Sequence, residues 1–311
     1  MSDVATARAL LESLGDFGAH FTGDDVAHLE VNGNEVVGSH LVPGLDLDVQ
    51  QIDDGIEAHI RLHEGVRIAN PVHLCFGMLP SDGLQHIVMR VDVKADSFAS
   101  VQAHCTFPNA IDITHKMDAV INIAPGATYE YFERHLHGAD GGVLVVPKTL
   151  VHIGEGARFR TEFELVKGHA GVIDFDYDAD CDAQSTLEMI TRIIARGHDR
   201  VTIRETGRLN GEGSRAVLQS YLALRDDARA EVYNTLTASA PNARGHVDCK
   251  EIIQDRAVAK AVPIVEVSHP LAHITHEAAI GSVDSKQLQT LMSRGLTEDE
   301  ATDLIIEGLL S

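Results

Sequence analysis

Three side chains in the last quarter of the chain can do metal chemistry together: the thiol of Cys249, the imidazole of His276 and the carboxylate of Glu277. Each is a ligand type that iron accepts, as sulfur, nitrogen and oxygen donors respectively. Consecutive residues on a strand face opposite ways, so His276 and Glu277 do not reach one site together unless a bulge intervenes. The plain alternatives are a buried inert thiol at Cys249 and a structural histidine at His276. Elsewhere His135 and His137 would share a strand face and could bind a metal by spacing, and His73-x-Cys75 and His104-Cys105 offer further nitrogen–sulfur pairs. The enzymatic signatures sought are missing. The chain has no Gly-x-x-x-x-Gly-Lys-Ser/Thr loop, no Gly-x-Ser-x-Gly elbow and no Gly-x-Gly-x-x-Gly opening a helix, so no nucleotide is expected on it.

These residues need a frame, and the spacing of turn signals supplies one. Glu64-Gly65, Ala95-Asp96, Pro125-Gly126 and Glu155-Gly156 recur at about thirty residues. Glu212-Gly213, Asp226-Asp227, Pro241-Asn242 and Gln254-Asp255 recur at about half that interval, with β-type runs between. Strands at a short fixed period cannot each bury a face alone, whereas stacked coils can. An antiparallel sandwich is the duller solution, but hairpin signals are few, Asn210-Gly211 being one candidate. The expected class is therefore mainly β, with a parallel β-helix core over 55–281. Ser185–Arg196 interrupts the pattern and is read as a strand from its β-branched residues. Charge pairs such as Arg204-Glu205 are read as solvated outer faces.

Residues 1–54 precede that core. Val4 to Leu14 has helical apolar spacing, and Val36 to Gly44 reads as an extended arm. Residues 282–311 follow it as a helical hairpin. Asp284 would cap a helix running to Arg294 with Gly295 past its end, and Thr297-Glu-Asp-Glu300 is a capping box opening a second helix. The apolar stripes are Leu288, Leu291 and Met292 on the first helix, and Ala301, Leu304, Ile305 and Leu309 on the second.

The chain has 311 residues and a formal charge of −22, which argues against binding a phosphate backbone. Its four cysteines form no CxxC pair, so neither a disulfide framework nor a self-contained zinc site is expected. No apolar run approaches the ~20 residues of a membrane span and no basic flank opens a leader, so a cytoplasmic location is expected.

Ala261-Val-Pro-Ile-Val-Glu-Val267, Thr275-His276-Glu277-Ala278, Gly281-Ser-Val-Asp284, Gln287-Leu288 and Leu291-Met-Ser-Arg-Gly-Leu-Thr-Glu-Asp-Glu-Ala301 resemble the C-terminal end of the SufB/SufD proteins. These are scaffold components of the SUF iron–sulfur cluster assembly system. The resemblance implies a right-handed parallel β-helix and a transient iron–sulfur cluster held by a late cysteine and the His-Glu pair. It implies a SufC-like ABC ATPase docked on the hairpin, through Gln287, Leu288, Leu291, Met292, Arg294, Gly295, Leu296, Ala301, Leu304 and Ile305. It also implies a second scaffold chain, as homodimer or SufB/SufD paralogue, and a cysteine desulfurase or sulfur carrier as donor. His276 and Glu277 match the pair directly. By ungapped count the family cysteine falls on Asp248, one residue before Cys249. Three readings follow: a bulge restores the thiol, Asp248 supplies an oxygen ligand, or the thiol is lacking. Competing classes are a β-helix carbohydrate-active enzyme, disfavoured by 5% aromatics and no Trp, and a metal-free interaction module.

Overall fold

The computed structural model describes residues 3–15, 18, 23–139 and 141–310. Met1, Ser2 and Ser311, at the ends of the expected first and last segments, lie outside them. In chain order the elements are α1 (Asp3–Ser13), β1 (His28–Asn32), β2 (Glu35–His40), β3 (Leu45–Ile52), β4 (Gly55–Leu62), β5 (Val72–Gly77) and β6 (Asp82–Val93). Then come β7 (Phe98–Phe107), β8 (Asp112–Ile123), β9 (Thr128–His137), β10 (Val143–Ile153), β11 (Arg158–Leu165), β12 (Val172–Cys181) and β13 (Thr186–Ala195). The chain closes with β14 (Arg200–Leu209), β15 (Arg215–Leu224), β16 (Arg229–Ala238), β17 (Arg244–Ile253), β18 (Val258–Val267), β19 (His273–Gly281), α2 (Ser285–Met292) and α3 (Glu298–Leu310).

From β4 onward the strands alternate between two parallel sheets, odd numbers in one and even in the other, so the chain winds as a parallel β-solenoid of about eight turns. Thr128, Arg158, Thr186, Arg215, Arg244 and His273 stack one on the next in register. Strand alternation turns every second side chain into the lumen, and the apolar ones, from both sheets, form one continuous core.

Two columns of tight corners hold the coils. In the first, Gly65, Asp96, Gly126, Gly156, Gln184, Gly213 and Asn242 all have φ near +60. From Gly65 to Gly213 each backbone N–H of this column donates to the corner of the next coil, as from Gly65 to Ala95 O at 2.9 Å and from Gln184 to Glu212 O at 2.8 Å. The second column holds Gly197, Asp226 and Asp255, again left-handed. The halved spacing of the sequence signals is the alternation between these columns. Left-handed backbone costs an L residue roughly 1–2 kcal/mol, which is why Gly, Asn and Asp dominate there. Ser185–Arg196 contains the expected strand, β13.

The two ends differ. At the start, β2 pairs antiparallel with β1, and β3 with β4. There Leu10 of α1 and Leu14, just past its end, cover Cys75 on the outer face of β5. At the finish, β18 and β19 are the outermost strands of their sheets. Most of their residues are exposed, on both faces. Among the described residues no helix is long and apolar enough to cross a membrane.

The terminal helices follow their caps. Asp284 Oδ1 accepts from the N–H of Lys286 at 3.0 Å and of Gln287 at 2.7 Å. The capping box is complete, with Thr297 N–H donating to Glu300 Oε2 at 2.8 Å and Glu300 N–H to Thr297 Oγ1 at 3.3 Å. The first helix ends at Met292, two residues sooner than expected, and Gly295 takes φ +101 in the turn.

Candidate functional site

The open end brings the candidate ligands onto two opposite faces. β17 and β19 pair in unbroken register, with Val247 beside His276, Asp248 beside Glu277 and Cys249 beside Ala278. Val247 and Cys249 belong to the lumen core. His276, on the same side of the ladder as Val247, therefore faces the lumen side, and Glu277 faces outward with Asp248. No bulge is present, yet the thiol and the imidazole share a face. The offset from the family cysteine places Asp248, not Cys249, on the side away from His276.

Cys249 is fully buried one strand before the end, and Asn234 Nδ2 lies 3.7 Å from its Sγ. Burial, with Glu251, Glu205 and Asp248 adding negative charge, pushes its thiol up to about 12. As a single chain it is therefore a neutral thiol, and it becomes a ligand only when a cation is present to displace the proton. Glu251 follows on the same face and was not singled out by the sequence reading. It is 2% exposed, neither carboxylate oxygen has a hydrogen-bond partner, and burial raises it to about 7. The Cys-x-Glu spacing was the available signal. An orphaned buried carboxylate beside a thiol fits the donor set of a metal cargo.

Asp248 is differently employed. Its Oδ2 accepts from the Tyr221 hydroxyl at 2.8 Å and from Lys250 Nζ at 2.9 Å, on the outer face. Asp248 raises Lys250, with Glu277 contributing after it. His276 and Glu277 are themselves exposed. Among the described residues, the side chains whose ligand atoms converge within 4.8 Å are Cys105, His115, Glu133 and His135, in the middle of the solenoid. Cys249, Glu251 and His276 do not converge in this way within one chain.

The hairpin divides its stripe between two duties. Ala301, Thr302, Ile306 and Leu310 of α3 are buried, and Ile306 and Leu310 pack with Ile194 and Ala223 on the outside of the odd-numbered sheet. Arg225 pairs with Asp303 beside them. Ala301 is thus buried within its own chain. Gln287, Arg294 and Gly295 are exposed, Leu288, Leu291, Leu296 and Ile305 are half-buried, and Met292 and Leu304 stand out at 40% and 47%. No residue of α2 is buried.

The Arg204-Glu205 reading is half wrong. Arg204 does lie outside, with Nη1 2.5 Å from Asp174 Oδ1. Glu205 faces the lumen at 1% exposure, held by Thr191 and Ser220. Along the outer face Arg208 pairs with Asp178 and Arg134 with Glu164, each joining neighbouring coils.

A family profile described as SUF system FeS cluster assembly, SufBD core domain, matches residues 252–309. An iron–sulfur cluster assembly SufBD family protein of Methanocaldococcus jannaschii is 36% identical over 282 residues, covering 91% of this chain and 87% of that protein. One from Pyrococcus horikoshii is 34% identical over 288 residues, covering 93% and 88%. The iron–sulfur cluster assembly protein SufB of Bacillus subtilis is 35% identical over 72 residues, covering 23% of this chain and 16% of that protein.

Proposed function

Because the chain belongs to the SufBD family of iron–sulfur cluster assembly proteins, we propose that it is the scaffold on which a transient cluster is built, at a joint between two solenoid ends. The observation that carries this reading is the unfinished end. β18 and β19 leave backbone groups unpaired at both sheet edges, and Ile264, Val267 and Ile280 are 47%, 45% and 44% exposed there. Exposed apolar edge strands are templates for another chain. A second copy is the partner, and the ligands that do not converge in one chain are completed across the joint.

The cluster is cargo. Cys249, Glu251 and His276 on the lumen side, with Glu277 outside, are the residues that would hold it, combining a soft donor with replaceable nitrogen and oxygen ligands. Iron supplies the charge that displaces the Cys249 proton. No residue of the chain needs to act as a covalent catalyst. Opening of the joint is assigned to an ABC-type ATPase gripping the hairpin through Met292 and Leu304, which biases the scaffold between closed and open arrangements. Outer carboxylates engaged by arginines of neighbouring coils support this reading over a polysaccharide-cleaving β-helix, which needs free acid pairs.

The test is the oligomeric state of the purified chain by analytical ultracentrifugation. Wild type should dimerise, and Val267→Lys with Ile280→Lys should give monomers with an unchanged thermal midpoint. A wild type that stays monomeric at all concentrations, with and without the ATPase, contradicts the joint.

A further inference from the structure

A separate group of ligand-type side chains lies in the lumen between β7, β8 and β9, away from the open end. Cys105 and His135 are register partners on β7 and β9. Glu133 is two residues before His135 on the same face, and His115 comes across from β8 in the opposite sheet. All four are at most 1% exposed, and their ligand atoms lie within 4.8 Å of one another. Cys105 Sγ is 3.7 Å from His115 Nε2 and 3.9 Å from Glu133 Oε1. Those separations suit the edges of a tetrahedron with metal–sulfur bonds of about 2.3 Å and metal–nitrogen or –oxygen bonds of about 2.1 Å.

Donor and acceptor accounting decides which nitrogens face the centre. Gln85 Nε2 donates to Gly33 O at 2.7 Å and Gly77 O at 3.0 Å. Its Oε1 therefore accepts from His115 Nδ1, 2.8 Å away, and His115 presents the Nε2 lone pair inward. His137 Nδ1 lies 2.8 Å from the His169 carbonyl and must donate to it. His137 Nε2 is then the acceptor for His135 Nδ1 at 3.1 Å. His135 is left with a second inward lone pair, at Nε2, 2.7 Å from Glu133 Oε1. Glu133 Oε2 has no hydrogen-bond partner. Such an orphan is costly in a core.

Burial pushes both imidazoles down to about 3 and holds the Cys105 thiol and Glu133 carboxyl above their ordinary values. Without a cation, the thiol and carboxyl keep their protons to meet the two lone pairs. We propose that Cys105, His115, Glu133 and His135 form a buried, closed four-ligand site for one divalent transition cation, zinc or ferrous iron. The dication displaces the thiol proton and the carboxyl proton, so two protons leave, and thiolate, carboxylate and two neutral imidazoles bind. The centre ends with no net charge, as burial demands. Gln85 and His137 orient the two rings from outside. Four protein ligands leave no open position, which is the character of a structural centre.

The test uses the full chain purified from cells grown with cobalt(II) in place of zinc. Wild type should carry about one cobalt per chain, with the visible bands of a tetrahedral ion and a near-ultraviolet sulfur-to-cobalt band. Cys105→Ser should remove the sulfur band, and Cys105→Ser combined with His135→Gln should lower the cobalt content roughly tenfold or more. Cys249→Ser and His276→Ala, which alter only the open end, should leave both signals intact. Gln85→Leu keeps all four ligands and should speed loss of cobalt to a chelator roughly tenfold. Elemental analysis of protein grown without cobalt should find zinc or iron at a similar ratio and so identify the resident cation. Wild type without cobalt, or a sulfur band that follows Cys249 rather than Cys105, overturns the site. Cobalt retention unchanged in Gln85→Leu overturns the assignment of the His115 lone pair.

Discussion

Replacing Glu205 by glutamine should stabilise the protein above neutral pH and leave it almost unchanged in mild acid. Glu205 faces the lumen on β14, where Thr191 Oγ1 donates to its Oε1 at 2.7 Å and Ser220 Oγ to its Oε2 at 3.4 Å. Desolvation raises its pKa to about 7, outweighing the two hydrogen bonds that lower it. The folded chain thus holds this proton more tightly than the unfolded chain does. The resulting stability is fully present below the ordinary value of 4.5 and is lost as pH rises through about 7. At 1.36 kcal/mol per pH unit across that gap, the loss is about 3 kcal/mol by pH 8. Glutamine keeps an acceptor for the Thr191 hydroxyl and has no proton to lose. Urea denaturation of both proteins at pH 5 and pH 8, at fixed ionic strength, reads the difference directly. The expected gain is within about 1 kcal/mol at pH 5 and approaches about 3 kcal/mol at pH 8. An equal difference at both pH values would show that Glu205 does not titrate in this interval, and the reasoning would fall.

The hairpin supplies a contrasting pair. Ile306→Ala, which empties a site 3% exposed against Ile194 and Ala223, should loosen α3 by about 2–4 kcal/mol. Hydrogen exchange of α3 amides should accelerate while the solenoid amides keep their protection, and acceleration throughout the solenoid would contradict local packing. Leu304→Asp, at a side chain 47% exposed, should leave the thermal midpoint unchanged and abolish co-purification with the ATPase. Undiminished co-purification would remove Leu304 from the docking face.

Much of the fold was legible because corners in this architecture demand left-handed backbone, and the chain meets that demand mostly with Gly, Asn and Asp. Gln184 and Gly197 went unread for different reasons. Gln184 occupies a left-handed corner, with φ +57, using a residue type that carries no turn signal. Gly197 belongs to the second column, of which only the Asp226 and Asp255 corners were read as turn signals. Faces were harder. Alternation shows that Arg204 and Glu205 part company, but only the register of β12 with β14 shows which of them goes inside. The hairpin stripe hid the same ambiguity. Ala301 and Leu304 are three residues apart, yet one is buried and the other meets solvent. The site was legible in part. His135-x-His137 was visible as a pair and Glu133, two residues earlier on the same strand face, was passed over, whereas Cys105 and His115 join them only through coil stacking, at separations no local motif encodes. Glu251 was missed because a carboxylate two residues after a cysteine looks ordinary until its oxygens prove to be buried and unpartnered.

The central claim is that the open end of the solenoid builds an iron–sulfur cluster. Its most direct test is anaerobic reconstitution of the ATPase-bound protein with ferrous iron and sulfide, followed by absorption, for wild type, His276→Ala and Cys249→Ala. The account predicts a labile chromophore in wild type that is lost in His276→Ala and, because Cys249 shares the His276 face, in Cys249→Ala as well. A wild type that never gains a chromophore above background, or a chromophore indifferent to both substitutions, would contradict it.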